Sequence, residues 1–157
     1  MTAPAVDSRL VVSTGPDATS RLGRALGRVA QAGDLVCLWG DLGAGKTHLA
    51  KAFAVGLGVS ETVTSPSYIL MAEYRGRLPL FHIDPYRLAH AADALEGGLI
   101  DERQREGVTL VEWPERLGDA LPNDRLDVRM DGTGDDPRSI TLVAGSERYR
   151  SYLEVAA

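Results

Sequence analysis

The sequence predicts a three-layer α/β fold around a mixed, mainly parallel central sheet, in one domain spanning residues 1–157. Three observations carry that expectation. Strand-like and helix-like segments alternate through the first third of the chain. The continuous apolar run Leu35-Val36-Cys37-Leu38-Trp39 has the length of a central strand covered on both faces. The later strand-like segments come in pairs joined by short turns, which adds antiparallel partners.

Residues 9–14 (RLVVST) read as a short first strand. Gly15-Pro16-Asp17 opens a helix, since proline suits a first helical turn. Ala18, Leu22, Ala25, Leu26 and Val29 recur at spacings of three and four, giving one apolar face, and Gly33 stops it. After the Leu35–Trp39 strand, Gly40 to Gly45 forms a glycine-rich turn and Lys46 to about Leu57 a helix ending at Gly58. Residues 59–67 read as a polar loop closing on Thr64-Ser65-Pro66-Ser67. Tyr68–Arg75 and Leu78–Asp84 form a hairpin about Gly76-Arg77. Residues 89–106 are mostly helical, with a break near Gly97-Gly98; Val108–Trp113 is a strand stopped by Pro114, and Pro114–Leu121 a short helix. Leu126–Met130 and Ile140–Ala144 pair around a turn at 131–136, and a helix begins at Glu147.

Composition excludes several classes of function. Asp plus Glu exceed Lys plus Arg, 22 to 17, for a net charge of −5, the wrong sign for gripping nucleic acid by bulk electrostatics. No DNA partner is therefore expected. The imbalance is uneven: residues 1–56 are net positive and residues 57–157 net negative. A single cysteine, Cys37, excludes an internal disulfide and a thiolate-rich zinc site, and its apolar run predicts a buried, inert thiol. No stretch approaches the roughly 20 apolar residues of a membrane span, and MTAPAVDSRL lacks the basic-then-apolar order of a signal peptide. A cytoplasmic protein with no membrane partner is expected.

The informative segment is Gly40-Asp41-Leu42-Gly43-Ala44-Gly45-Lys46-Thr47, a full match to G-x-x-x-x-G-K-[ST] between an apolar strand and an amphipathic helix. From this composition, roughly 0.003 accidental matches are expected along the chain. Such a loop wraps backbone N–H groups around a phosphate at the positive end of a helix, with Lys46 reaching the β- and γ-phosphates and the Thr47 hydroxyl ligating Mg²⁺. The expected architecture is accordingly P-loop NTPase-like. The metal needs an acid at the end of a neighbouring parallel strand, and two candidates exist, Asp84 and Glu112. Which of them is the direct ligand stays open on spacing alone. His82 shares a strand face with Asp84, where a lone histidine reads first as a packed or hydrogen-bonded residue. Thr64-Ser65-Pro66-Ser67 lies where nucleotide switches carry a γ-phosphate-sensing loop. Arg87 reads equally as a phosphate contact or a solvated side chain. Trp113 is either a core residue or a partner anchor.

Beyond the phosphate loop follow Val63-Thr64-Ser65-Pro66-Ser67-Tyr68, then His82-Ile83-Asp84-Pro85-Tyr86-Arg87-Leu88, then Glu112-Trp113-Pro114-Glu115-Arg116. With these in succession, the chain resembles the TsaE (YjeE) family, small bacterial ATPases of the tRNA threonylcarbamoyladenosine pathway. The helix with Asp17, Thr19 and Leu22-Gly23 is similar to the family's N-terminal segment. The resemblance implies that ATP is bound by Asp17, Thr19, Gly40, Gly43, Ala44, Gly45, Lys46, Thr47, His48 and Thr64, with Mg²⁺ on Thr47 and Glu112. It implies catalytic roles for Lys46, Asp84 and Glu112, with Asp84 and Thr64 near the γ-phosphate and Trp113 in the active-site region. It also implies binding to the TsaD–TsaB pair, which transfers a threonylcarbamoyl group to the adenosine beside the anticodon of ANN-decoding tRNAs. The tRNA is then met only through that complex. Departures from the family pattern are mild: His48 where a second Thr is common, Ser67 for a frequent Thr, and Pro85 after Asp84. From about Leu121 onward no motif points to adenine recognition.

A small-molecule kinase on the same loop is the alternative, with Arg75, Arg77, Arg103 or Arg105 clamping the acceptor. It lacks a compact arginine-rich lid with glycine hinges. A GTP switch is disfavoured, because no Asn-Lys-x-Asp motif occurs; Asn123-Asp124-Arg125-Leu126 is the nearest approach.

Overall fold

The computed structural model describes residues 6–63, 71–85 and 102–156. Seven strands form one mixed sheet: β1 (Asp7–Ser13), β2 (Leu35–Trp39), β3 (Met71–Arg75), β4 (Pro79–Ile83), β5 (Val108–Glu112), β6 (Leu126–Asp131) and β7 (Arg138–Ala144). Their order is β1-β7-β6-β2-β5-β4-β3. The centre, β6-β2-β5-β4, is parallel throughout, and the β1-β7-β6 and β4-β3 pairings are antiparallel. This is the mixed sheet the sequence predicts, with β4 and β5 both parallel to β2, as two strand-terminal acids require.

Helices α1 (Pro16–Val29), α2 (Lys46–Gly56) and α3 (Arg150–Val155) share one apolar cluster with Val36 and Leu38 of β2, Leu80 of β4 and Leu110 of β5. The opposite sheet face supplies Leu35, Cys37, Ile83 and Val111, which pack with Leu117 and Leu121 around a 3₁₀ segment at Pro114–Ala120. Cys37 is fully buried, and burial followed by the Asp127 charge pushes its thiol far above the ordinary range, so it is inert.

Helices α1 and α2 pack through glycines. A Cβ on Gly27 would lie 2.1 Å from the Phe53 carbonyl oxygen, and one on Gly56 would lie 2.1 Å from that of Arg24. The β3–β4 turn seals the far ends of both helices: Arg77 N donates to Leu57 O at 2.8 Å, while its guanidinium donates to Gly27 O, Arg28 O and Ala30 O. Those carbonyls end α1, where no intrahelical donor remains. Arg77 is thus a structural clamp between the hairpin turn and the end of α1.

Boundaries differ from expectation in several places, among them β1 and β7, each of which begins two residues earlier, at Asp7 and Arg138. Helix α1 ends at Val29, four residues before Gly33, which takes φ 91° in the following turn. The first hairpin strand is described from Met71, and the expected Tyr68–Leu70 lie outside the described residues. Strand β5 stops at Glu112, because Trp113 turns into the left-handed region at φ 54°. The short helix expected after Pro114 winds as 3₁₀ over Pro114–Ala120 and is broken at Gly118. Of the expected 89–106 helix, only a 3₁₀ turn at Glu102–Glu106 falls among the described residues.

Candidate functional site

The turn between β2 and α2 starts and ends on glycines whose backbones forbid a side chain. Gly40 has φ 154° and a Cβ there would meet Met130 O at 2.7 Å; Gly43 and Gly45 take φ 85° and 103°. Gly45 is the residue before α2, and no side chain among the described residues caps that helix. Its first N–H groups and its positive dipole end are therefore available to an anion.

Pleating and register place the acids. Leu80 pairs with Val108 and His82 with Leu110, so Leu80, His82 and Asp84 share a sheet face with Val108, Leu110 and Glu112. That face carries α2. Both acids consequently point to the side on which Lys46 and Thr47 begin their helix. Thr47 Oγ1 donates to Glu112 Oε1 at 2.8 Å. His82 Nε2 lies 2.6 Å from Glu112 Oε2. Burial raises the Glu112 carboxyl, but the His82 hydrogen bond and charge, then Thr47 and Lys46, together hold it below the ordinary carboxylate range. Asp84 is buried just past β4 and acts electrostatically on Lys46.

Lys46 is 5% exposed. Its Nζ donates to Gly40 O and lies 3.1 Å from the centroid of the Trp113 ring, a cation–π contact. Burial lowers its pKa, opposed by Glu115, Glu112, Asp84 and Asp41 in that order. The left-handed turn at Trp113 brings the indole back over the loop.

A cavity of about 450 Å³ adjoins this cluster, lined by Gly15, Thr19, Ala44, Gly45, His48 and Arg138 among others. Thr19 shares a 2.6 Å hydrogen bond with Ser13, and His48 Nε2 lies 3.0 Å from Pro16 O and 2.8 Å from Ser20 Oγ, joining the starts of α1 and α2. Asp17 is exposed in the first turn of α1 and does not line the cavity. Of the residues proposed from sequence, Lys46, Thr47, Asp84 and Glu112 come together at one point, while Thr19, Ala44, Gly45 and His48 lie beside it. Thr64, Ser65, Ser67 and Arg87 fall outside the described residues.

The arrangement offers a phosphate cradle and two hard oxygen ligands. Among the described residues no group of three His, Cys, Asp or Glu side chains gathers as a metal site. A thiolate or imidazole cage is absent there, whereas Thr47 and Glu112 suit Mg²⁺, which keeps several waters and takes few protein oxygens beside a nucleotide.

A family model for threonylcarbamoyl adenosine biosynthesis protein TsaE matches residues 13–140. The chain belongs to the TsaE family. The tRNA threonylcarbamoyladenosine biosynthesis protein TsaE of Bacillus subtilis is 39% identical over 143 residues, covering 90% of this chain and 89% of its own. That of Treponema pallidum is 40% identical over 131 residues, covering 83% and 97%. A crystal structure of B. subtilis YdiB superposes with a TM-score of 0.76 at 35% identity, covering 94% of this chain and 93% of that one. TsaE membership places the chain in tRNA threonylcarbamoyladenosine biosynthesis, on a P-loop fold.

Arg138 is a site residue of this TsaE chain that sequence reading missed. Its Nε donates to Ala44 O at 3.0 Å and its NH2 to Gly43 O at 3.3 Å and Gly134 O at 3.0 Å, with NH1 on Asp136 O. The turn at 132–136 is thereby tied to the phosphate loop. The pairing spans 94 positions, and no local pattern around Arg138 marks it. No helix among the described residues is long and apolar enough to cross a membrane.

Proposed function

We propose that this chain is the Mg²⁺-dependent ATP-binding and ATP-hydrolysing component of the bacterial tRNA threonylcarbamoyladenosine machinery, acting with TsaD and TsaB. The observation that carries the reading is Thr47 Oγ1 at 2.8 Å from Glu112 Oε1, at the head of an uncapped helix whose first residue is Lys46. Thr47 and Glu112 would hold Mg²⁺ there, where it would supply charge neutralisation for the transferring phosphoryl group. The loop N–H groups fix the phosphates. Lys46 leaves Trp113 and Gly40 for the phosphate oxygens. Asp84 orients a water for in-line attack on the γ-phosphorus, breaking its bond to the bridging oxygen of ADP. The 450 Å³ cavity, between the starts of α1 and α2 and the 132–138 turn, takes the nucleoside.

Labelled ATP incubated with the protein is expected to give free phosphate, slowly in isolation because no arginine finger is identified among the described residues. Transfer of label to a metabolite acceptor would instead establish the kinase alternative. The net charge of −5 leaves tRNA to the partner subunits, so weak tRNA affinity at physiological salt is expected of the isolated chain.

Two variants separate the acids. Glu112→Gln is expected to raise the Mg²⁺ concentration needed for half-maximal turnover more than Asp84→Asn does, because the amide loses a charge beside the Thr47 hydroxyl. Magnesium titrations with the reverse ranking would exchange the two roles. Arg138→Ala is expected to weaken ATP affinity about tenfold by freeing the wall of the nucleoside cavity. Unchanged affinity by calorimetry would remove that turn from the site.

A further inference from the structure

We propose that His82 is a positioning residue that fixes the Glu112 carboxylate for the divalent ion; this rests on the metal reading above. Glu112 stands at the end of β5, 1% exposed, and His82 in the middle of β4 is 0% exposed. The two carboxylate oxygens are shared out. Oε2 meets His82 Nε2 at 2.6 Å and Oε1 meets the Thr47 hydroxyl at 2.8 Å. A carboxylate turns readily about its last torsion, and a hydrogen bond to one oxygen removes that freedom and aims the other. Because the acceptor is a carboxylate, Nε2 carries the proton. With the ion bound, Thr47 would offer it a lone pair while its O–H still donated to Oε1, and His82 would hold Oε2, so the two contacts together fix the carboxylate's orientation.

A purely packed residue at this point in β4 would be apolar, as Leu80, Phe81 and Ile83 around it are. Instead an imidazole stands here, its Nδ1 buried with no hydrogen-bond partner among the described residues. An orphaned buried polar atom costs stability, and the Nε2 bond to Glu112 offsets that cost.

The test uses Mn²⁺ as a paramagnetic stand-in, titrated into the ADP-bound protein with free ion followed by electron paramagnetic resonance. His82→Leu and His82→Met, neither able to donate, are expected to weaken Mn²⁺ affinity by about 10–100-fold, the range for a partner behind a metal ligand. His82→Gln, whose amide N–H reaches the same oxygen, is expected to recover most of it. ADP affinity without divalent ion is expected to stay unchanged in all three. The proposal is overturned if a folded His82→Leu or His82→Met protein binds Mn²⁺ as wild type does, or if His82→Gln is no better than either. Should neither apolar variant fold, a His82→Gln protein with affinity lowered to the level of Glu112→Gln overturns it too. Wild-type protein that fails to take up Mn²⁺ with ADP would sink the metal reading itself, a separate result.

Discussion

Lys46→Ala is expected to lower ATP turnover by about 10²–10³-fold, the scale for removing one preorganised group that meets charge developing in a poorly solvated transition state. The side chain is buried, and the carboxylates of Glu115, Glu112, Asp84 and Asp41 oppose its loss of the proton. Without nucleotide, its ammonium rests on a carbonyl and an indole face, contacts weaker than those a triphosphate offers. The difference favours the bound state and, with it, the transition state. Lys46→Arg is expected to restore little, since a longer, planar guanidinium does not reproduce the compact point charge of an ammonium at the phosphates. Phosphate release under saturating ATP is the measurement, and wild-type turnover in Lys46→Ala would dismiss this site. Because Lys46 leaves the indole when phosphate arrives, Trp113 emission in a Trp39→Phe background is a direct reporter of occupancy.

Gly27→Ala is expected to destabilise the protein by about 3 kcal/mol, at the upper end for overpacking, despite alanine's better helix propensity by about 1 kcal/mol. The new methyl would sit 2.1 Å from Phe53 O and 2.9 Å from Leu57 N, backbone atoms that cannot swing aside. One helix must back away, unpacking Leu26 and Phe53, both buried in the shared cluster. For a chain of this length the loss corresponds to roughly 6–12 °C in Tm. Gly56→Ala meets Arg24 O at the same 2.1 Å, so the double variant is expected to cost less than the sum, the separation having been made once. Calorimetric melts decide it, and a Gly27→Ala melt within 2 °C of wild type would contradict the packing.

Much of this architecture is written locally. Leu35–Trp39 is apolar at every position because β2 is covered on both faces, and the alternating faces of α1 follow from its three-and-four spacing. The phosphate loop is legible because its glycines answer to positive φ, a property of single residues. What stayed hidden depends on distance along the chain. Arg138 finds Ala44 across the sheet, and Arg77 finds the end of α1, with nothing nearby in sequence to mark either partner. The turn at Trp113 was hidden for another reason: a large aromatic in the left-handed region is an exception to backbone preference, held there by its surroundings. His82 reads from sequence as a packed or hydrogen-bonded residue, and its partner emerges only from the β4–β5 register.

The attachments of Arg138 have a kinetic meaning. Lys46, Thr47, Asp84 and Glu112 are anchored at the ends of parallel strands and the helix packed against them. The 132–136 turn is instead moored through a guanidinium grasping four carbonyl oxygens, at Gly43, Ala44, Gly134 and Asp136. Polar moorings of that kind can be cast off into water without emptying any oily interior. On the proposed function, spent nucleotide would leave past this turn while Lys46, Thr47, Asp84 and Glu112 keep their places.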